Sequence, residues 1–154
     1  MTQVWKKGRG KLGPLAPLMG SWIASADSPM GPLTCTRIFS KFGDGHVQLD
    51  ATWTFGGKAG NAKGPYRELA MFSADEAGAL VCQSFTNDGK SSSGRLVDAA
   101  DAPAGAIVFE AQMPAGLARQ IYWPDESAGF HWAVEARTKK GWSRFTQHHY
   151  RAGP

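Results

Sequence analysis

The side chains best suited to chemistry cluster near one end of the chain, at Arg144, His148, His149, Tyr150 and Arg151. An arginine fork matches a carboxylate, a histidine carries a proton or ligates a metal, and a tyrosine hydroxyl donates and accepts. Glu68, Glu110 and Glu135 are acids without a paired partner in sequence, and His46, His131, His148 and His149 show no metal-ligand spacing with acids. Cys35 alternates with Arg37 and Phe39, and Cys82 with Leu80 and Ser84, so both cysteines read as small strand residues rather than nucleophiles. No phosphate loop, zinc-protease motif, nucleophile elbow or dinucleotide fingerprint occurs. The reading therefore favours a binding protein over an enzyme, with neither a catalytic residue nor a metal site assigned.

Composition narrows the classes further. The chain has 154 residues, 42% hydrophobic and only 19% charged, with six tryptophans and eight phenylalanines. That is enough apolar material for one folded domain, and it excludes a disordered chain. No apolar run approaches the roughly 18 residues of a membrane helix, and no secretory h-region follows the basic start. Together with two cysteines and no disulfide framework, this gives the expectation of a cytoplasmic protein. The net charge of +4 resides in Lys6, Lys7, Arg9 and Lys11, while the rest of the chain balances. Nucleic-acid binders spread positive charge over a folded face, so residues 1–11 are expected to be a flexible basic leader. Residues 12–154 are the domain. No nucleic-acid partner is expected, and nothing in the sequence sets the oligomeric state.

Elements must position the candidate residues, and turn signals define them. Gly43-Asp44-Gly45, Asn87-Asp88-Gly89, Pro124 to Gly129, Lys139 to Gly141 and similar groups recur at strand-length intervals, the pattern of an antiparallel meander. About ten strands follow, from Ser21–Ser28 to Trp142–Arg151, with one short helical segment within Leu12 to Gly20. Ten short strands in a small domain must hide their edges, and closure into a barrel does so completely. The predicted fold is all-β, a single antiparallel barrel.

Alternation assigns faces. Phe130, Trp132 and Val134 share one face of a strand, His131 and Glu135 the other. Trp53 and Phe55 point inward with Val47, Leu49 and Ala51, and Phe109 and Met113 do so with Ile107 and Ala111. A three-residue hairpin loop ending in left-handed Gly141 would pair Trp132 with His148 and Phe130 with Tyr150. It would also turn Arg144, His148 and Tyr150 into the lumen, and a two-residue loop would reverse that assignment. The expected pocket then has Arg144, His148 and Tyr150 at its polar end, with Trp53, Trp132, Phe109 and Phe130 along its wall. Such a lining suits a small hydrophobic or amphipathic ligand, including an anionic one.

Leu15-Ala16-Pro17-Leu18-Met19-Gly20-Ser21-Trp22 resembles the entry of lipocalin-like and nitrobindin-like barrels, where a helical turn leads into Gly-x-Trp. Gly64-Pro65-Tyr66, Phe85 to Gly94 and Gly141-Trp142 to Arg151 are also similar to a bacterial lipocalin-like family of unknown function, and to fatty-acid-binding-protein-like barrels in outline. The resemblance implies a barrel of eight to ten strands with a cavity for hydrophobic small molecules. It implies structural roles for Gly20, Trp22 and Gly141, with Arg151 or Arg144 stacked on Trp22. Nitrobindin-like barrels bind haem through a histidine of the last strand, which makes His148 the candidate ligand of a haem-dependent alternative. The Arg-x-Tyr of fatty-acid-binding proteins is not reproduced, since Thr146 stands two positions after Arg144. A filled barrel that binds a protein partner is the third reading.

Overall fold

Strand ends in this protein coincide with its glycines, because several turns need a backbone that other residues rarely adopt. Gly43, Gly78 and Gly89 hold φ of 61°, 85° and 90° at hairpin turns, conformations that cost little only without a Cβ. The computed structural model describes residues 5–29, 31–56 and 64–153. Its strands are β1 (Gly20–Ser28), β2 (Gly31–Phe42), β3 (His46–Phe55), β4 (Tyr66–Ala74) and β5 (Leu80–Thr86), then β6 (Ser91–Val97), β7 (Ile107–Met113), β8 (Gly116–Pro124), β9 (Phe130–Thr138) and β10 (Gly141–Ala152). All neighbours are antiparallel, and the order closes on itself where β10 meets β1. That closing seam is short, with Trp22 opposite Ala152 and Ile23 opposite Arg151. It nevertheless leaves the sheet without an open edge.

The helical segment expected before the first strand is a 3₁₀ turn, Gly13–Leu18, with Pro14 at its start and Pro17 inside it. Its Leu15 and Leu18 are fully buried against one end of the barrel. Trp22 ties the turn to the strand, its Nε1 donating to the Leu18 carbonyl at 2.7 Å. Beneath lies an aromatic plug. Phe130 packs on Trp22 at 4.8 Å and on Tyr150 at 5.1 Å between ring centroids. Burying each such ring contributes roughly 1.5–3 kcal/mol. Trp5 joins the plug edge-on to Phe130, so the basic leader is anchored at its tryptophan rather than free of the barrel from residue 5 onward.

The β9–β10 hairpin departs from the expected turn. Lys139 and Lys140 alone form the loop, and Gly141 pairs directly with Thr138 at φ 121°. A two-residue loop should have turned the whole strand over. Instead Phe145 is extruded as a β-bulge between Arg144 and Thr146, and one extra residue restores the alternation. Thr146, His148 and Tyr150 therefore oppose Val134, Trp132 and Phe130 as expected, whereas Arg144 opposes Glu135 on the outer face. The inward placement of Arg144 is corrected accordingly. Arg151 is corrected too: it is exposed, pairs with Ile23 and cannot stack on Trp22. The basic residue opposite Trp22 is Arg37 of β2.

Candidate functional site

The two halves of the lumen differ because their side chains differ in size. Around the plug, large aromatics meet and fill the space. Farther along, the inner faces of β4 to β8 carry Ala70, Ser84, Ser92, Gly94, Ala111 and Ala118, too small to meet across the barrel. A cavity of about 220 Å³ remains there, walled by these residues and by Leu49, Phe72, Phe109, Met113 and Val134. A second, wider cavity of about 770 Å³ forms the mouth, lined by Trp53, Phe55, Tyr66, Trp132, Thr146 and neighbouring residues. Glu68, Gln120, Val134 and Phe145 border both. Phe145, 65% exposed, stands at this junction because of the bulge that extrudes it.

Behind Gln120 and Tyr122 of this junction lies an arginine that the sequence reading had not assigned to the site. Arg37 is completely buried, and an isolated buried charge is very costly. Its Nη2 donates to the Tyr122 hydroxyl at 2.9 Å and reaches Gln120 Oε1 at 3.5 Å. Glu68 Oε1 lies 3.7 Å away and supplies the opposite charge. The guanidinium also stacks on Trp132, its carbon 4.5 Å from the ring centroid, with Tyr122, Trp53 and Tyr150 around it. Arg37 Nε and Nη1 have no hydrogen-bond partner among the described residues. Ser84 donates its hydroxyl to Glu68 Oε2, and Trp132 Nε1 donates to Gln120 Oε1 at 3.0 Å.

Burial governs the protonation of the neighbours. It raises the Tyr122 phenol above its usual range despite the adjacent Arg37. The Cys82 thiol in the inner cavity wall is pushed up to about 12, by burial first and by Glu68 second. Cys35 rises to about 11, again chiefly through burial. Neither sulfur is a thiolate at neutral pH, in keeping with their reading as strand residues.

The residues proposed from sequence are thus divided. Trp53 and Trp132 line the mouth and Phe109 the inner cavity. Phe130 and Tyr150 lie in the plug and border neither cavity, because Trp22 and the 3₁₀ turn close the barrel over them. Arg144 is outside, where it donates to Glu135 Oε2 at 3.0 Å and packs over Trp123. Glu135 also binds Arg119, which is held in turn by Asp101. His148 faces the barrel interior but stacks flat on Trp132, the rings 11° from parallel. It borders neither cavity, and its Nδ1 is buried.

Arg37, Gln120 and Tyr122 were not proposed from sequence, and Glu68 was noted there only as an acid without a partner. The signal for Arg37 was present: it shares the apolar row of Leu33, Cys35 and Phe39 in β2. The described fold is thus a closed ten-stranded antiparallel barrel with an inner cavity that opens to a mouth. It is similar to the crystal structure of Rv2717c from M. tuberculosis, with a TM-score of 0.59 and 14% identity over 95% of this chain and 99% of that one. At that identity the likeness concerns the fold. No family model and no curated protein matches the chain. No helix among the described residues is long and apolar enough to cross a membrane.

Proposed function

We propose that this protein binds a small hydrophobic or amphipathic molecule in its barrel, as the lipocalin-like resemblance also implies. One observation carries the reading: the apolar inner cavity joins the wider mouth at a border set with polar groups, Glu68 and Gln120. An apolar chamber with a few convergent polar groups is the composition of a small-molecule site. Phe72, Phe109 and Met113 would hold the apolar body, while Trp53 and Trp132 flank the entrance. The anionic head group inferred from Arg144 loses its basis, since that side chain is outside the barrel. Uptake of the neutral fluorophore N-phenyl-1-naphthylamine tests the reading. Saturable binding, weakened when Ala118→Leu narrows the inner cavity, supports it. Absence of binding, or binding indifferent to Ala118→Leu, counts against it and favours a barrel that works through its outer surface. Native mass spectrometry of freshly purified protein would weigh any co-purified ligand.

A further inference from the structure

We infer that the polar end of this site recognises an uncharged hydroxyl group, so that the ligand is a hydrophobic alcohol. The inference rests on the lumen-binding reading and adds the head group to it. Hydrogen-bond valences at the cavity border carry it. Gln120 Oε1 receives the Trp132 indole N–H and faces Arg37 Nη2, both of which can only donate. These contacts fix the orientation of the amide and leave its NH₂ without a partner among the described residues. Tyr122 accepts from Arg37, and its own proton has no acceptor among them. Glu68 Oε2 takes the Ser84 hydroxyl, while Oε1 stays 3.7 Å from Arg37, beyond a hydrogen bond. Gln120, Tyr122 and Glu68 all border the inner cavity. It therefore offers two donors, the Gln120 amide and the Tyr122 hydroxyl, and one acceptor, Glu68 Oε1.

A hydroxyl has the complementary inventory, one donor hydrogen and two lone pairs. It gives its hydrogen to Glu68 and accepts from Gln120 and Tyr122. A carboxylate has no hydrogen to give and would meet Glu68 as a like charge. Arg37 cannot compensate, because it borders neither cavity and its remaining N–H groups are buried. An alkylammonium has no lone pair for the two donors and would lie beside the Arg37 charge. A ligand that fills the cavity expels water from this border, which makes both mismatches expensive, since a polar group left unsatisfied there loses its water without replacement.

Competition for N-phenyl-1-naphthylamine on the full chain at neutral pH tests the head group with the alkyl body held constant. The competitors are 1-octanol, octanoate, octylammonium and methyl octyl ether, which lacks only the donated hydrogen. The expected result is displacement by octanol at about one-tenth the concentration needed for the other three. Glu68→Gln should raise the octanol concentration required and narrow its advantage over octanoate. Equal displacement by octanol and the ether, or tighter binding of either charged competitor, overturns the head-group assignment while the lumen reading stands. If the fluorophore binds and none of the four displaces it, or if it does not bind at all, the lumen reading falls and takes this inference with it. The ether comparison needs no mutation, so it remains decisive should Glu68→Gln fail to fold.

Discussion

Arg37 stacks on Trp132 inside the barrel, the guanidinium carbon 4.5 Å from the indole centroid, and the same indole donates to Gln120. One ring thus supports the buried cation with its face and orients the neighbouring amide with its edge. The interior of this barrel is organised around a charge, and its stability depends on that charge being matched.

Removing one partner should therefore be worse than removing both. Arg37→Met leaves Glu68 buried beside Tyr122 without its cation, and breaking such a pair costs about 3–5 kcal/mol. Adding Glu68→Gln removes the stranded carboxylate and should recover much of the loss. Urea unfolding of the two variants checks the order. A double variant no more stable than Arg37→Met would show that the pair is not coupled.

The fold was legible where its signals are local. Strand β9 runs from Phe130 to Thr138 as its alternation indicated, and β3 to β10 each follow a glycine-containing turn group. The site was less legible. Arg37 stands in the apolar row of β2, but the partners that let a charge be buried there, Glu68, Gln120 and Tyr122, arrive from β4 and β8, and no local pattern announces them. The Phe145 bulge is likewise a property of two strands. Turn chemistry predicted a shift at the loop, and the chain made it at residue 145 instead.

Filling the inner cavity should separate binding from folding. Ala118 borders a space of about 220 Å³, so Ala118→Leu adds apolar contact where there is room for it. Stability should change by less than about 1.5 kcal/mol, while the capacity for an apolar probe falls. Thermal melting and probe titration on the same preparation measure the two effects.

Acid should weaken the fold through two histidines. Burial lowers the affinity of His148 for protons, and Arg37 lowers it further. His131 is lowered by burial and by His149. A histidine harder to protonate in the folded state supplies stability at pH above its unfolded value of about 6.5, and loses it as pH falls through the lower folded value. His148→Phe keeps an aromatic ring on Trp132 but cannot titrate. Its stability relative to the parent should rise as pH drops below about 6.5. Chemical denaturation across that range provides the measurement, and a pH-independent difference would contradict it.

Asp125 acts in the same direction at lower pH. Burial alone would raise its carboxyl, but His149 and the Ser127 and Gly129 amides hold it below the usual carboxylate range. Its Oδ1 receives both amides at 2.7 and 3.0 Å, and its Oδ2 contacts His149 Nε2 at 2.8 Å. The ionised group thus stabilises the fold above its unfolded value of about 3.9, and the contribution disappears as pH falls through the lower folded value. Asp125→Ala should cost about 1–3 kcal/mol at neutral pH. The penalty should shrink toward acid, as paired unfolding curves at the two ends of that range would show.

The bulge makes a prediction that no substitution can. On β10, Arg144 pairs with Glu135 and Thr146 with Val134, so Phe145 has no partner of its own. Deleting Phe145 brings Arg144 and Thr146 into direct succession, and their faces already alternate as a regular strand requires. The deletion variant should therefore fold with Arg144 still outside and Thr146, His148 and Tyr150 still inside. Deleting Ala133 from β9 offers no such escape. That residue pairs with Ile121 on one side and Gln147 on the other, so its loss shifts two ladders at once. The Phe145 deletion should keep a cooperative thermal transition near that of the parent, while the Ala133 deletion should lose most of it. Because Phe145 also stands at the junction of the two cavities, its removal should speed both entry and release of N-phenyl-1-naphthylamine in stopped-flow measurements. Unfolding of the Phe145 deletion as severe as that of Ala133 would mean that the bulge is required by the barrel's curvature, not merely accommodated within the ladder.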